Sequence, residues 1–177
     1  PFGVVYSNFR NRGETNTVNG HVAITTGFYT SISNDGWSVP EKPSVFQRYL
    51  KASGLPKEKV WLVTSKDKLN VLSNTKDSLW AGKYQASLDC GKAGEFSGYR
   101  EDETTYEHVI DVLKTHQPKV MLVNFREPDY SGHQMDWQGY LQGIRDVDEY
   151  AWKIWKFLQK DAHYKGKTTF IMTNDHG

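Results

Sequence analysis

Two short stretches of this chain pair a carboxylate with an imidazole. In EPDYSGH, Asp129 and His133 stand four residues apart; in TNDHG, Asp175 and His176 are adjacent. Four residues is about one helical turn, so Asp129 and His133 can share a face, and Gly132 eases the backbone just before the ring. Asp175 and His176 would point to opposite faces of an extended strand, so they belong in a turn beyond it, with Gly177 supplying the freedom for that turn. Oxygen plus imidazole is a ligand set that suits zinc, and also manganese or iron. Either pair alone has an ordinary reading as a polar loop at a strand end. Two such pairs at neighbouring strand ends point to a metal site, because buried carboxylates and imidazoles need partners.

A third stretch, GETNTVNGH, runs from Gly13 to His21. Thr17 falls where a helix begins, and there the free N–H groups and the positive dipole end stabilise an anion. A hydroxyl is a weak nucleophile at its own pKa, and a divalent metal can activate it. The competing reading makes Thr17 an N-cap with no chemistry.

The elements that must position these residues follow from pattern. Val18–Thr26 reads as a short helix opened by Asn16 and Thr17 and stopped by Gly27. Ser44–Ala52 reads as an amphipathic helix with Pro43 at its entry and Gly54 at its exit. Thr105–His116 is helical, with Val109, Ile110 and Leu113 along one stripe. A long helix spans Asp136–His163, its stripe being Trp137, Leu141, Ile144, Val147, Ala151, Ile154 and Leu158. Glu149 and Lys153 form a favourable pair on its outer side.

Lys59–Thr64, Lys119–Phe125 and Thr168–Thr173 are short apolar runs of the buried-strand type. Helix alternating with strand gives an α/β fold, a mostly parallel central sheet with helices on both faces. Ligands in such folds gather at the carboxyl ends of the strands, which is where EPDYSGH and TNDHG lie. Residues 69–103 are rich in Ser, Lys, Gly and Asp and read as a loop, a small insertion or a lid. Trp137, Trp152 and Trp155 are expected to pack, whereas Trp80 and Tyr84 are candidates to line a substrate pocket.

The chain has 177 residues, enough for one domain over 1–177. With 37% hydrophobic residues, 24% charged residues, 8 Phe, 6 Trp and 10 Tyr, its composition is that of a globular protein, not a disordered or fibrous one. The 22 Lys+Arg against 21 Asp+Glu leave a net charge of +1 and no nucleic-acid binding surface. Mean hydropathy is −0.68 and no apolar run approaches the length of a membrane segment. The lone Cys90 excludes an intrachain disulfide framework and a four-cysteine zinc site. A first residue of Pro1, with no Met, and a last residue just after Asp175-His176 read as two cut ends.

Taken together, TNTVNGHVAITTGFY, EPDYSGH and TNDHG resemble the alkaline phosphatase superfamily, and within it most of all the type I phosphodiesterase and nucleotide pyrophosphatase branch. The resemblance implies an alkaline phosphatase-like α/β domain holding two divalent metal ions, usually zinc, and a periplasmic or secreted location. It implies Thr17 as nucleophile, four residues before His21. One metal would take Asp129 and His133 with a later His; the other would take Thr17, Asp175 and His176 with an earlier Asp. That earlier Asp and later His have no counterpart in this chain, so the resemblance places them in the rest of the protein or in another chain. Relatives place an Asn soon after the nucleophile helix to bind a phosphoryl oxygen, and Asn34 is the nearest candidate. Where some monoesterase relatives carry Lys-x-Arg, this chain reads Lys66-Asp67-Lys68, which keeps two positive charges without the bidentate fork. Cys90, followed by Gly91-Lys92, does not match the modified-cysteine motif of the sulfatase branch.

The function expected from this resemblance is metal-dependent hydrolysis of small-molecule phosphate esters. Diesters or pyrophosphates come first, with Thr17 attacking and Asn34 and Lys66 holding phosphoryl oxygens. A monoesterase is the second reading, and a non-catalytic metal-binding portion of a larger protein is the third.

Overall fold

A computed structural model describes residues 3–177. Helices α1 (Thr17–Thr26) and α2 (Val45–Ser53) precede strand β1 (Val60–Thr64). A 3₁₀ turn (Asp67–Ser73) then leads to β2 (Ser87–Cys90), α3 (Asp102–His116), β3 (Val120–Asn124), α4 (Asp129–His133) and α5 (Trp137–Lys160). The strands form one all-parallel sheet in the order β2-β1-β3, with Leu62 opposite both Leu88 and Leu122.

β1 sits in the centre because both of its faces are apolar. Successive residues of a strand point to opposite sides. Leu62 therefore enters one core with Val18 and Val22 of α1 and Phe46 and Leu50 of α2, while Val63 enters the other with Val109 and Leu113 of α3 and Ile154 and Leu158 of α5. Both residues are fully buried. The expected α/β fold, a parallel sheet covered by helices on both faces, is the fold observed. The helix boundaries follow local chemistry. Asn16 caps α1 by accepting from the Asn19 amide (3.1 Å), and Gly27 ends it at φ 78°. The Glu149–Lys153 pair is made at 2.7 Å.

Several expectations are corrected. Thr168–Thr173 runs without ladder partners among the described residues, although it has the composition of a strand. Phe170 packs into the second core against Trp155, but Ile171 and Met172 are 80% and 62% exposed. Ile171 and Met172 thus lack the apolar cover that a strand of a parallel sheet needs. β2 had no signal, because SLDC is four residues long, carries a charge and leaves Leu88 half-exposed. It lies inside 69–103, the stretch read as loop, insertion or lid, which also gives Leu69, Val71 and Leu72 to the first core. α3 begins at Asp102, three residues before the expected start.

The stripe of α5 is buried only in its C-terminal half, at Ala151, Ile154 and Leu158. Trp137 and Trp152 are exposed, Trp137 stacking on Tyr140, so neither packs in the core.

These burials give a direct test. Leu62→Ala should cost about 2–5 kcal/mol in urea unfolding, the usual result of opening a cavity in a core. Ile171→Ala should change stability by less than about 0.5 kcal/mol, as surface substitutions do. A large loss at Ile171 would mean that Thr168–Thr173 is a buried strand after all.

Candidate active site

Thr17 is the first residue of α1 and is 3% exposed. The cap itself is Asn16, so the Thr17 hydroxyl is not used for capping. It accepts a hydrogen bond from Lys66 Nζ (3.1 Å), and the same ammonium donates to Asp129 Oδ2 at 2.5 Å. Lys66 follows the end of β1, and Asp129 opens α4 just beyond the end of β3. The cluster therefore forms at the carboxyl ends of two neighbouring parallel strands, the usual place for ligands in this architecture.

Asn34 joins from the loop after α1. Its Oδ1 accepts from the Val18 amide (3.0 Å) and from Lys68 Nζ (3.1 Å). With both donors on its oxygen, its amide N–H groups are left to face solvent or a bound oxyanion. Asp129 Oδ1 lies 3.4 Å from His133 Nε2 and 3.7 Å from His176 Nε2, and His176 Nε2 lies 3.6 Å from Asp175 Oδ2. The structure thus brings Thr17, Asn34, Lys66, Asp129, Asp175 and His176 into one cluster. His133 stands at its rim, with a side chain 75% exposed.

The C-terminal stretch reaches this cluster because residue 20 is glycine. A Cβ there would fall on the Asp175 backbone, and Asn11 Nδ2 donates to the Asp175 carbonyl at 2.8 Å. His21 Nδ1 stands 3.2 Å from Asp175 Oδ2 while bonding the Thr17 carbonyl at 2.8 Å. Burial pushes the Asp175 carboxyl up, but His21 and His176 beside it outweigh that effect and hold it below the ordinary aspartate value.

The donor set can be weighed against the expected metals. Oxygen and imidazole groups converge here, and Asp175 Oδ2 is buried without a hydrogen-bond donor, a state that a bound cation would relieve. Among the described residues, however, no three His, Cys, Asp or Glu side chains are arranged as a ready metal site. The ammonium of Lys66 bridges Thr17 and Asp129 instead. The residues fit a metal in chemistry, as two pairs rather than a closed set.

Several residues of the site had no signal in the sequence. Asp102, 7% exposed in the first turn of α3, accepts from Ser65 Oγ (2.5 Å), the Arg126 amide (2.7 Å) and the Glu127 amide (3.0 Å). Ser65 precedes Lys66 and Glu127 lies two residues before Asp129, so one carboxylate ties together both segments that carry the ion pair. An acid in a first turn reads in sequence only as a partner for the helix dipole. Burial raises the Asp102 pKa, and its hydrogen bonds offset part of that rise. Gly143 lets α5 close over this turn, since a Cβ there would meet Glu127 Cβ at 2.9 Å.

Two candidates lie elsewhere. Trp80 makes its contacts with α2, through the Lys51 ammonium 4.1 Å from its ring and a bond from Gln47 to its carbonyl, and Tyr84 packs edge-on against it. Cys90 is buried and its thiol is pushed up to about 11 by desolvation, so it is inert as a nucleophile.

The family model described as type I phosphodiesterase / nucleotide pyrophosphatase matches residues 3–177. The chain belongs to that family, and through it to the alkaline phosphatase superfamily. Searches of curated proteins and of solved structures return no match.

Two expectations test this arrangement. Asp102→Ala removes the acceptor of two half-buried amides and should cost about 1–3 kcal/mol in urea unfolding. It should also loosen the turn before Asp129, seen as faster amide exchange at residues 126–129. The pH dependence has a definite sign. Asp102 has a higher pKa folded than unfolded, so the folded chain binds its proton more tightly, and stability from this group falls as pH rises between those two values. Urea midpoints measured from pH 4 to 7 should lose that component of their slope in Asp102→Asn.

Proposed function

We propose that this chain hydrolyses phosphate esters, with Thr17 as the nucleophile. The observation that carries the reading is the Thr17 hydroxyl, buried at a helix start and held 3.1 Å from the Lys66 ammonium. A hydrogen bond from a cation stabilises an alkoxide more than a hydroxyl, and so lowers the pKa of the group that must attack. The first-turn amides of Val18 and Asn19 are taken by Asn34 and Asn16, so the donors left for phosphoryl oxygens are the side-chain N–H groups of Asn34 and the ammoniums, beside the positive end of α1.

In the proposed reaction the Thr17 oxygen forms a bond to phosphorus as the bond to the ester oxygen breaks. The Thr17 proton passes to solvent, and the leaving oxygen departs with its alcohol or phosphate and takes a proton from water. A second water then cleaves the phosphothreonine and restores the hydroxyl. Lys66, Lys68 and Asn34 hold the non-bridging oxygens throughout. Divalent ions, zinc by family resemblance, would be held by Thr17, Asp175 and His176 on one side and by Asp129 and His133 on the other, supplying charge for the attacking and leaving oxygens. Phosphodiesters or pyrophosphates are the first substrate class.

Lys68 favours a second reading, a monoesterase. It brings a second ammonium to the same Asn34, and a monoester carries more negative charge than a diester. Comparing a nitrophenyl phosphodiester with the nitrophenyl monoester separates the two.

Thr17→Ala should cost at least about 10³-fold in kcat while the chain stays folded, because the covalent route is lost. Thr17→Ser should keep much of the activity, since it retains a hydroxyl in the same place. Near-normal turnover by a folded Thr17→Ala variant would end the nucleophile assignment. No turnover of either ester by the metal-supplemented protein would favour a non-catalytic role.

A further inference from the structure

Lys66 and Lys68 differ in their partners. Lys66 has Asp129, whereas among the described residues no carboxylate lies within ion-pair distance of Lys68. Lys68 donates to the neutral Asn34 oxygen. Both ammoniums also face one ring, that of Tyr99, with Nζ 5.7 Å (Lys66) and 5.8 Å (Lys68) from its centroid.

The backbone on either side of Tyr99 is fixed to the segment that carries the lysines. Gly98, at φ 87°, donates its amide to Asp67 Oδ2 (2.8 Å), and Arg100 donates its amide to the Ser65 carbonyl (2.8 Å). Asp67 stands between the two lysines in sequence, is 8% exposed, and turns its carboxylate to this loop rather than to either ammonium. Residues 98 and 100 are thus bonded to residues 67 and 65, which flank Lys66, and the ring between them is held against the ammoniums.

We propose, on the premise of the second, monoesterase reading above, that Tyr99 is a specificity-determining positioning residue that keeps Lys66 and Lys68 together for the doubly charged phosphoryl end of a monoester. The physical reason lies in what a π face offers a cation. A carboxylate beside Lys68 would neutralise it and compete with substrate for its N–H donors. The negative face of a ring attracts the ammonium and leaves those donors free. Burial and the Lys66 charge both disfavour the charged form of Lys68, while Asp129, Asp175 and Asp67 favour it from beyond ion-pair distance. The ring face adds attraction without consuming a hydrogen bond. A singly charged diester depends less on the second ammonium, so the ring should affect the two ester classes unequally.

The test compares wild type, Tyr99→Phe and Tyr99→Leu. For each, kcat and KM are measured on nitrophenyl monoester and diester, inorganic phosphate binding is measured by calorimetry, and melting temperature is recorded. Tyr99→Phe keeps the π face and should stay within about twofold of wild type in every quantity. Tyr99→Leu should raise the monoester KM and weaken phosphate binding about five- to tenfold, in the range of a partly desolvated cation–π contact, and so lower the monoester-to-diester ratio of kcat/KM. Wild-type phosphate binding and ester selectivity in Tyr99→Leu would overturn the proposal. Equal losses in Phe and Leu would also overturn it, because the hydroxyl would then be the acting group. Equal loss of both esters with a lowered melting temperature would assign Tyr99 a purely structural role. A wild-type protein that turns over neither ester and binds no phosphate would instead overturn the hydrolase reading on which the proposal rests.

Discussion

Lys66 is 3% exposed, and a cation buried that deep is costly unless it is paired. Its partners are Asp129 and the Thr17 hydroxyl, which arrive from different parts of the chain. The single contact therefore draws together the end of β1, the turn after β3 and the start of α1. Removing one partner would leave a buried charge uncompensated, so the three segments are energetically coupled. The same coupling brings the two Asp-His pairs within reach of each other, because Asp129 belongs both to the lysine and to the histidines.

A second buried charge supports the first. The carboxylate of Asp102 fixes Ser65 and the amides of Arg126 and Glu127, the residues just before each half of the Lys66–Asp129 pair. Three donors on one buried carboxylate offset part of its desolvation cost and leave little freedom of geometry. Asp67 works in the same way on the opposite side, where its bond to the Gly98 amide seats Tyr99 against both lysines. The site is thus framed by carboxylates that face inward to backbone, while its cations face the space around Thr17.

The two cores give this frame its stiffness. Leu62 and Val63 are adjacent in β1 yet anchor opposite layers, so a shift of β1 would disturb both. The C-terminal stretch is held differently. It is tied by Asn11, Gly20 and His21 near Asp175, while Ile171 and Met172 just before it stay exposed. Its place in the site therefore depends on polar contacts and on one missing Cβ, with Phe170 the apolar anchor upstream.

The sequence by itself determined the fold class and the family. Apolar runs such as VWLVT and MLVN alternate with amphipathic stretches, and that pattern admits few arrangements other than a covered parallel sheet. Thr17 was legible from its place at a helix start and Asp129 with His133 from their spacing after a strand. Asp175 with His176 instead follows an expected strand, Thr168–Thr173, that does not form, and reaches the cluster through polar contacts. Tertiary structure alone decided the partners. Nothing local in Asp102 or Tyr99 marks them, since their roles come from amides and ammoniums that lie tens of residues away in the chain. SLDC forms a strand because β1 offers it an edge, and TTFIMT, with stronger local character, does not, because a strand needs neighbours and cover as well as propensity.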